Sequence, residues 1–320
     1  MQLATLVSVP PEGASWVHEM KFDGYRLLGF VCDGRARLRT RNGKDWTESF
    51  PSLITALRKL RTKSSVLDME AVVIDTEGKS SFQALQAALG AAGNRDKIIS
   101  FVFDLLHRDG QDLRTLPLIE RKKKLRGLLR QSNQRTLRYS DHTIGHGADV
   151  IAKACDAGLE GIVSKKGDAA YVAGRQKSWL KIKCVQRQEF IILGFSSART
   201  GNRALGALYL GYRKDGTIRY AGKVGTGFSM QGARELADLF SRLSIQKPTL
   251  TRAETEGLAA PEWQSIHWIK PVMLCEVAFT EWTQDGRIRH PSFQGLRQDK
   301  DVRDVTRETP VASSVTKKSV

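Results

Sequence analysis

Apolar and polar side chains alternate through most of the segment between residues 15 and 40. The alternating stretches are 16–22, 25–31 and 36–40. A period of two is typical of a half-buried strand, and Asp-Gly pairs at 23–24 and 33–34 mark tight turns between the stretches. We therefore predict an antiparallel meander of three strands, whose first turn follows directly after Lys21.

Helical and strand patterns then interleave up to about residue 183. Apolar residues at helical spacing predict helices at 52–60, 81–89 and 118–129. Apolar and β-branched runs predict further strands at 66–74, 98–106, 161–165 and 179–183. Because these elements follow no regular strand-helix-strand order, the pattern indicates an α+β domain.

The pattern changes after Val185. Strands are predicted at 190–195, 207–212, 218–223 and 273–280, with Gly-rich turns between them and one helix near 229–243. This arrangement suits an all-β, five-stranded barrel of the OB type. We therefore expect a first domain over residues 1–186, an OB-fold domain over 187–305 and a flexible tail over 306–320.

The net charge of the chain indicates what kind of partner it binds. The 320 residues include 51 Lys and Arg against 34 Asp and Glu, which gives a net charge of +17 and a pI near 9.9. Such an excess of cations predicts a polyanionic partner. A hydrophobic content of 41% excludes general disorder and a fibrous repeat.

The cysteines and the apolar runs bear on the cellular compartment. The four cysteines are widely separated and form no Cys-x-x-Cys pair, so neither a zinc site nor a redox motif is indicated. No apolar run approaches the roughly 20 residues of a membrane helix, and residues 1–13 lack the plan of a signal peptide. We expect a cytoplasmic protein without membrane association.

The segment from Glu19 to Arg26 carries the first chemical signal. It places Lys21 at a strand end, directly before an Asp-Gly turn, and Arg26 five residues later. A lysine amine in such a position can act as a nucleophile. The simpler structural explanation is an exposed lysine before a hairpin turn.

Two carboxylates and one aromatic residue stand in or next to apolar strands. Glu70 lies within the run 67–73, and Glu160 directly precedes the run that begins at Gly161. A buried carboxylate needs a cation or a hydrogen-bond donor, although alternation could instead turn Glu70 to solvent. Phe103 would, by itself, be an ordinary core residue.

Two further lysines share one face of a strand. Lys181 and Lys183 alternate with Leu180 and Ile182, so their side chains emerge about 6 to 7 Å apart on the same side. Two ammonium groups at this spacing suit a phosphate chain. A solvated strand face is the alternative.

In this order and spacing, the segments resemble the nucleotidyltransferase core of ATP-dependent DNA ligases, most closely the ligase module of bacterial end-joining ligase D. The matching segments are 21–26, 67–73, 101–106, 160–166, 179–183, 222–228 and 290–300. The resemblance covers residues 16–304. It implies an α+β nucleotidyltransferase core, with ATP-grasp-like antiparallel sheets and helices, followed by an OB-fold barrel.

The resemblance implies an enzyme that seals nicked or broken duplex DNA in three steps. Lys21 attacks the α-phosphate of ATP, the adenylate passes to a DNA 5′-phosphate, and a 3′-hydroxyl displaces AMP. Mg²⁺ or Mn²⁺ is the implied metal. A monomer acting in DNA repair by non-homologous end joining, beside separate end-joining proteins, is the expected setting. Because only twenty residues precede Lys21, ATP is expected in place of NAD⁺.

The resemblance also implies roles for single residues. Lys21 would carry AMP as a phosphoramide, Phe103 would stack on adenine, and Glu70 and Glu160 would hold the metal. The full set of implied nucleotide contacts is Glu19, Arg26, Arg41, Glu70, Phe103, Arg175, Lys181, Lys183, Arg297 and Lys300. The last two would orient the leaving pyrophosphate, with a hinge near Gln186 between the domains.

The implied chemistry needs a neutral amine at Lys21. A free lysine has a pKa near 10.4, so at pH 7 only about one amine in 2,500 is neutral, which corresponds to roughly 4.6 kcal/mol. Cations such as Lys181, Lys183 and Arg26 would disfavour an ammonium there and would stabilise the charge of the transferring phosphoryl group. We therefore expect cations around Lys21.

Three alternatives stay open at this point. An RNA ligase or a GTP-using capping enzyme would share the lysine nucleophile and the paired lysines. A non-catalytic nucleic-acid-binding module would explain the charge but would leave Lys21, Glu70 and Glu160 without a purpose.

The basic run 121–124 also has two explanations. It is either a solvated helix face or a DNA contact.

Overall fold

The computed structural model describes residues 1–90, 92–132, 135–198 and 204–310. The chain divides between Cys184 and Val185, which gives a first unit over Met1–Cys184 and a second unit over Val185–Glu308. The division lies two residues before the boundary expected from the sequence.

The second unit also extends beyond the end expected from the sequence. The side chain of Gln188 donates to the Thr306 carbonyl (3.0 Å) and accepts from the Glu308 amide (2.9 Å). The expected start of a flexible tail at residue 306 is therefore wrong, because residues 306–308 are bonded to the second unit. Residues 311–320 of the expected tail lie outside the described residues.

The first unit contains eleven strands and four helices among its described residues. The strands are β1 (Gln2–Leu6), β2 (Trp16–Met20), β3 (Tyr25–Cys32), β4 (Arg35–Thr40), β5 (Ser64–Val73), β6 (Ile98–Arg108), β7 (Gln111–Asp112), β8 (Leu137–Tyr139), β9 (His142–Ile144), β10 (Gly161–Lys166) and β11 (Gly174–Lys183). The helices are α1 (Pro51–Arg58), α2 (Phe82–Leu89), α3 (Leu118–Ser132) and α4 (Gly147–Asp156).

These strands form two sheets. The first sheet has the order β1-β11-β10-β2-β9, in which β1 and β11 are parallel and the other neighbours antiparallel. The second sheet has the order β4-β3-β5-β6-β7, and β8 adds to it in parallel with β6. The mixture of antiparallel sheets and helices confirms the expected α+β class.

The meander predicted for residues 16–40 is correct in its second turn and wrong in its first. Asp33 and Gly34 both have positive φ (47° and 74°), which matches the tight hairpin between β3 and β4. In contrast, β2 pairs with β9 and β10, whereas β3 pairs with β4 and β5. The chain therefore crosses from one sheet to the other directly after Lys21.

Alternation along the second sheet explains why its helices lie on one side. In β3 the buried positions include Tyr25, Leu27 and Val31, and the intervening residues are half-buried. The buried side chains join a core formed with residues of α1, α2 and α3. The other face of this sheet is left to the half-buried residues, among them Arg26.

The predicted helix at 81–89 is confirmed as α2, and its start has a physical cause. The Ser81 hydroxyl accepts from the Ala84 amide (3.2 Å), which is the bond of an N-cap. Sequence analysis missed α4, which lacks a capping side chain of its own. Its first amides donate instead to the distant carboxylate of Glu12, at 3.2 Å from Gly147 and 2.8 Å from Ala148.

Among its described residues, the second unit contains an antiparallel sheet and two α-helices. Its strands are β12 (Gln186–Ser196), β13 (Ala207–Lys214), β14 (Thr217–Val224), β15 (His267–Trp268), β16 (Leu274–Phe279) and β17 (Ser292–Arg297). Its helices are α5 (Met230–Ser241) and α6 (Ala260–Gln264). The main strand order is β14-β13-β12-β16-β17, and β15 pairs with β12.

The two ends of this sheet approach each other, as in a barrel. The Phe293 amide on β17 donates to the carbonyl of Thr226, just after β14 (2.9 Å), and the Ile288 amide donates to Ala221 on β14 (2.9 Å). Gly227 sits at this closure with a φ of 90°, and an added Cβ would lie 2.3 Å from the Phe293 carbonyl oxygen. These contacts agree with the OB-type barrel expected from the sequence.

A disulfide joins Cys155 at the end of α4 to Cys184 just after β11, with Cα atoms 5.2 Å apart. The linear spacing of the cysteines did not indicate this pair, because packing of α4 on the first sheet brings together residues 29 positions apart. Of the other two cysteines, Cys32 is exposed and Cys275 is buried. Within the described part of the chain, no helix combines the length and apolarity that a membrane span requires.

The disulfide generates a stability prediction. Without reductant, Cys155→Ser should lower the free energy of unfolding by about 2 to 4 kcal/mol, since the cross-link restricts the unfolded chain. Urea denaturation measures this difference, and Cys32→Ser, which removes an exposed free thiol, is the matched control. With reductant the difference should vanish. An equal loss of stability with and without reductant would show that packing of the sulfur, and not the bond, is responsible.

Candidate active site

The candidate site lies where the chain crosses between the two sheets of the first unit. The Lys21 amide donates to the Gly161 carbonyl (2.9 Å), which holds the start of the crossing against β10. At its end, a Cβ on Gly24 would lie 2.1 Å from the Ala71 carbonyl oxygen, so only glycine allows this approach to β5. The Lys-x-Asp-Gly segment thus serves a crossing between sheets instead of the expected hairpin turn.

The Lys21 amine is paired with a carboxylate. Its Nζ forms an ion pair with Glu160, and the two side chains are 23% and 5% exposed. An opposite charge favours the ammonium form of an amine. Sequence analysis expected cations around Lys21, and the structure shows that the amine also pairs with the carboxylate of Glu160, which directly precedes the Gly161 residue whose carbonyl binds the Lys21 backbone.

Arg26 is held in a fixed orientation by a carboxylate that sequence analysis missed. Its Nε and Nη2 donate to the two oxygens of Asp68 (2.9 and 2.7 Å), and Tyr171 donates to the same carboxylate (2.7 Å). Burial works against the charge of Arg26, but Asp68 outweighs it and raises the pKa of the guanidinium. The sequence did contain a signal for Asp68. It lies two residues before Glu70, so both side chains project from one face of β5.

Two cations lie against the aromatic rings of Phe103 and Trp179. The Arg26 guanidinium is 5.2 Å from the Phe103 ring centre and 5.5 Å from that of Trp179. The Lys165 amine lies closer, at 4.5 and 4.3 Å. Phe103 is half-buried, so part of its ring is accessible. The site therefore combines accessible aromatic surface with positive charge.

Glu19 forms the centre of a buried charge network. Its carboxylate accepts from Lys122 (2.8 Å), Lys165 (3.0 Å) and Ser140 (2.8 Å), and it is 2% exposed. Burial alone would raise the pKa of Glu19, but the two lysines lower it, so the carboxylate stays ionised. The structure thus gives this side chain internal partners where the sequence predicted a nucleotide contact.

Lys165 and two members of the basic run of α3, Arg121 and Lys122, are buried, which the sequence analysis did not expect. Burial lowers the pKa of Lys165 to about 8, assisted by Lys122 and opposed by Glu19. Arg121 donates to both oxygens of Asp104 (2.8 and 2.9 Å) in a pair with no solvent exposure. Residues 121–124 were predicted to be either a solvated helix face or a DNA contact. Both predictions are wrong for Arg121 and Lys122, because each of these two side chains neutralises a buried carboxylate.

The paired lysines and Glu70 lie on different sheets, the lysines on β11 of the first sheet and Glu70 on β5 of the second. Lys183 stands opposite Gly161 in the β10–β11 pairing, and Lys181 stands opposite Val163. Leu180 and Ile182 pack into an apolar cluster, as the alternation predicted. Glu70 is directly opposite Arg26 in the β3–β5 pairing.

The remaining expected nucleotide residues in the first unit lie at its edges. Arg41 is half-buried in the turn after β4. Arg175 is exposed at the start of β11, six residues before Lys181, and donates to the Ala4 carbonyl (2.6 Å). The structure therefore holds Arg175 against β1 and apart from the paired lysines.

Arg297 and Lys300 belong to the second unit and have partners there. Arg297 is buried and bonds to Glu276 (2.9 Å) and to both oxygens of Asp299 (3.0 Å each). Lys300 forms an ion pair with Glu189. Both charges thus have carboxylate partners inside their own unit, and the expected contacts with pyrophosphate stay a prediction.

Two models of known protein families match this chain, one in each of its two units. Residues 6–183 match the model of the ATP dependent DNA ligase domain, and residues 201–300 match that of the ATP dependent DNA ligase C terminal region. A solved structure described as mycobacterial DNA ligase D complexed with ATP and MES superposes with a TM-score of 0.68. It shares 33% identity and the match covers 96% of this chain and 98% of that one.

Curated relatives are longer than this chain. The multifunctional non-homologous end joining protein LigD of Pseudomonas aeruginosa is 42% identical over 312 residues, which are 97% of this chain and 36% of that protein. A DNA ligase of Natronomonas pharaonis is 31% identical, over 95% of this chain and 55% of its own. The chain thus spans little more than a third of the LigD proteins that it matches.

The buried network makes a prediction about α3. Lys122→Met should lower the free energy of unfolding by roughly 3 kcal/mol or more, because it leaves Glu19 with one buried cation fewer. Lys123→Met, the same change at an exposed neighbouring position, should stay within about 0.5 kcal/mol of the unaltered protein. Urea denaturation compares the two. If both variants had the same stability, the network around Glu19 would not support the fold.

Proposed function

This chain belongs to the ATP-dependent DNA ligase family, and from that premise we propose that it joins DNA strands through an AMP adduct on Lys21. The observation that carries the proposal is the position of this amine. Lys21 lies at the crossing between two sheets, in contact with Glu160 and bonded through its backbone to Gly161 on β10, the strand that pairs with the strand bearing Lys181 and Lys183. Family membership supports ATP as the nucleotide.

End joining is part of the proposal, since the relatives named for it are longer than this chain. The P. aeruginosa protein is described as a multifunctional non-homologous end joining protein, and this chain corresponds to about a third of it. We propose that nicked or broken duplex DNA is the substrate and that other end-joining activities act beside this domain. The net charge of +17 supports binding to a duplex mainly through its phosphates.

In the first step, the Lys21 nitrogen would form a bond to the α-phosphorus of ATP as the bond to pyrophosphate breaks. The amine must lose a proton before it can attack. Glu160 at present favours the ammonium form. If Glu160 pairs with another cation instead, it no longer stabilises the ammonium form of Lys21. A larger fraction of the amine is then neutral and able to attack.

The phosphoryl group would be stabilised by cations already present in the first unit. Lys181 and Lys183 project from one face of β11, and Arg26 is preorganised by its two bonds to Asp68. Fixed cations next to a reacting phosphate stabilise the charge that develops in the transition state. We assign Arg41, at the rim, to a phosphate or sugar contact.

Adenine would stack on the accessible part of Phe103. The Arg26 and Lys165 cations next to this ring and Trp179 would then lie close to the nucleotide. Glu19 can still accept one further bond, since a carboxylate has about four acceptor sites and three are used. A hydrogen bond from the adenine base to Glu19 would therefore be made to a carboxylate that its lysine and serine partners already hold in place.

Glu70 and Glu160 are the residues that we propose to hold a magnesium ion. Among the described residues, there is no group of three or more His, Cys, Asp or Glu side chains that could bind a metal. This fits Mg²⁺, which is often bound by one or two carboxylates together with substrate phosphates and water. The bound ion would supply Lewis-acid stabilisation of phosphate charge. Mn²⁺ could occupy the same oxygen ligands.

We propose that the first unit is the adenylation domain and the second unit an OB-fold domain. The division between Cys184 and Val185 and the two family matches on either side of it support this assignment. A hinge near Gln186 would lie next to the junction. In the second unit, Arg297 would then act by stabilising its own domain through Glu276 and Asp299.

Covalent labelling tests the proposed nucleophile. Incubation with α-labelled ATP and Mg²⁺ should attach AMP to the protein, and mass spectrometry should locate it on the peptide that contains Lys21. Lys21→Ala should abolish the label, because no other group would form the phosphoramide. Lys63→Ala, which removes an exposed lysine, should label normally.

The same assay separates the alternatives. Label on Lys21→Ala would refute the assignment of the nucleophile, and stronger labelling by GTP would favour a capping-type enzyme. Sealing of nicks with RNA strands in preference to DNA strands would indicate an RNA ligase.

A further inference from the structure

Strand β4 presents three arginines on one exposed face. Along Arg35–Thr40 the side chains alternate strictly between exposed and buried, and the exposed positions are Arg35, Arg37 and Arg39. The intervening residues join or border the core. Since β4 is the edge of its sheet, this row of cations has no strand on its outer side in the described sheet.

The arginine row lies on the same side of the sheet as the candidate site. Arg39 stands opposite Leu28 on β3, and residues directly opposite in an antiparallel pair project to the same side. Leu28 is two residues after Arg26, so it shares the face of Arg26. The row therefore extends the face that carries Arg26 and Glu70, and it runs away from the site along β4.

The protein itself neutralises little of this charge. Arg39 donates to the Gly43 carbonyl (3.0 Å) and lies 4.0 Å from Asp45, in an ion pair whose members are both nearly half exposed. For Arg35 and Arg37, the described residues provide no ion pair and no side-chain hydrogen bond. An exposed ion pair such as that of Arg39 with Asp45 contributes little to stability, so Arg39 can leave it for another anion. The row therefore presents guanidinium groups that are available to an anion.

The spacing of the row points to a polymeric anion. Alternate residues of a strand are about 6.7 Å apart, so three guanidinium groups cover about 13 Å in a line. A nucleic-acid strand carries phosphates at regular short intervals, and arginine suits them through paired N–H donors. A single small anion would occupy only one of these positions.

We propose that Arg35, Arg37 and Arg39 bind consecutive phosphates of one strand of the duplex DNA that is being joined. The identification of DNA rests on the proposed function, whereas the phosphate-binding row rests on the strand geometry. Contacts with phosphates position a duplex without reading its sequence. The row would thus hold the strand in register with the site regardless of base sequence.

A second explanation for arginines on this strand is protection of an exposed sheet edge. Charged side chains on edge strands discourage pairing with other chains. That explanation requires exposure and charge but predicts no effect on DNA affinity. The two explanations therefore differ in a measurable quantity.

The test measures binding of a labelled nicked duplex over a range of salt concentrations. Arg35→Ala/Arg37→Ala should weaken binding about tenfold and reduce the slope of log affinity against log salt by about 2, or about 1 for each arginine removed from a phosphate. Arg35→Lys/Arg37→Lys keeps the charges and should restore most of the slope. Self-adenylation with ATP, which requires no DNA, reports whether each variant is folded.

The matched control removes the same charge elsewhere in the first unit. Arg58 and Lys59 are exposed at the end of α1, which packs on the opposite side of the sheet. Arg58→Ala/Lys59→Ala should leave the salt slope within about 0.5 of the unaltered protein, because neither side chain lies on the face of the arginine row.

Two results would overturn the proposal. One is an unchanged affinity and slope in Arg35→Ala/Arg37→Ala. The other is an equal weakening in the control variant, which would indicate a general charge effect. Failure of the proposed function would look different, since Lys21 of the unaltered protein would then take up no label.

Discussion

The architecture of the first unit depends on the requirement that every buried charge has a partner. Glu19, Asp68 and Asp104 lie in strands whose carboxylates are closed off from solvent, and each is met by a cation from a different element. Arg26 on β3 reaches Asp68 on β5, while α3 supplies Lys122 to Glu19 and Arg121 to Asp104. Because an unpaired charge in such a position would be very costly, the two pairs made by α3 favour its packing against a strand of each sheet.

The same pairing organises the candidate site. Lys165 is held by Glu19 next to the rings of Phe103 and Trp179, and Arg26 is held by Asp68 next to the same rings. Lys21 is the partly exposed member of the set, and its partner Glu160 directly precedes β10, the strand that pairs with β11. Positive groups are thus fixed in advance next to aromatic rings, which is the arrangement that the proposed phosphoryl transfer would use.

Sequence patterns predicted local structure where the cause of that structure is local. Helix α2 begins at its own serine cap, the β3–β4 hairpin follows from Asp33-Gly34, and the alternation in β11 correctly separated Lys181 and Lys183 from the apolar residues. Helix α4 was missed because its capping group is the remote Glu12, and the meander was misjudged because Asp23-Gly24 leads between sheets. A motif of a few residues cannot show which strand the chain will pair with next.

The sequence by itself determined the α+β class, most of the longer helices and strands, and site residues such as Lys21, Arg26 and Phe103, because alternation and motif spacing are properties of neighbouring positions. The tertiary structure decided which charges face each other. It placed Glu160 against Lys21, buried Arg121 and Lys122 of α3 against carboxylates, joined Cys155 to Cys184 and enclosed Arg297 between two carboxylates. Each of these contacts joins separate strands, helices or loops, and its energy depends on burial, which only the packed molecule defines.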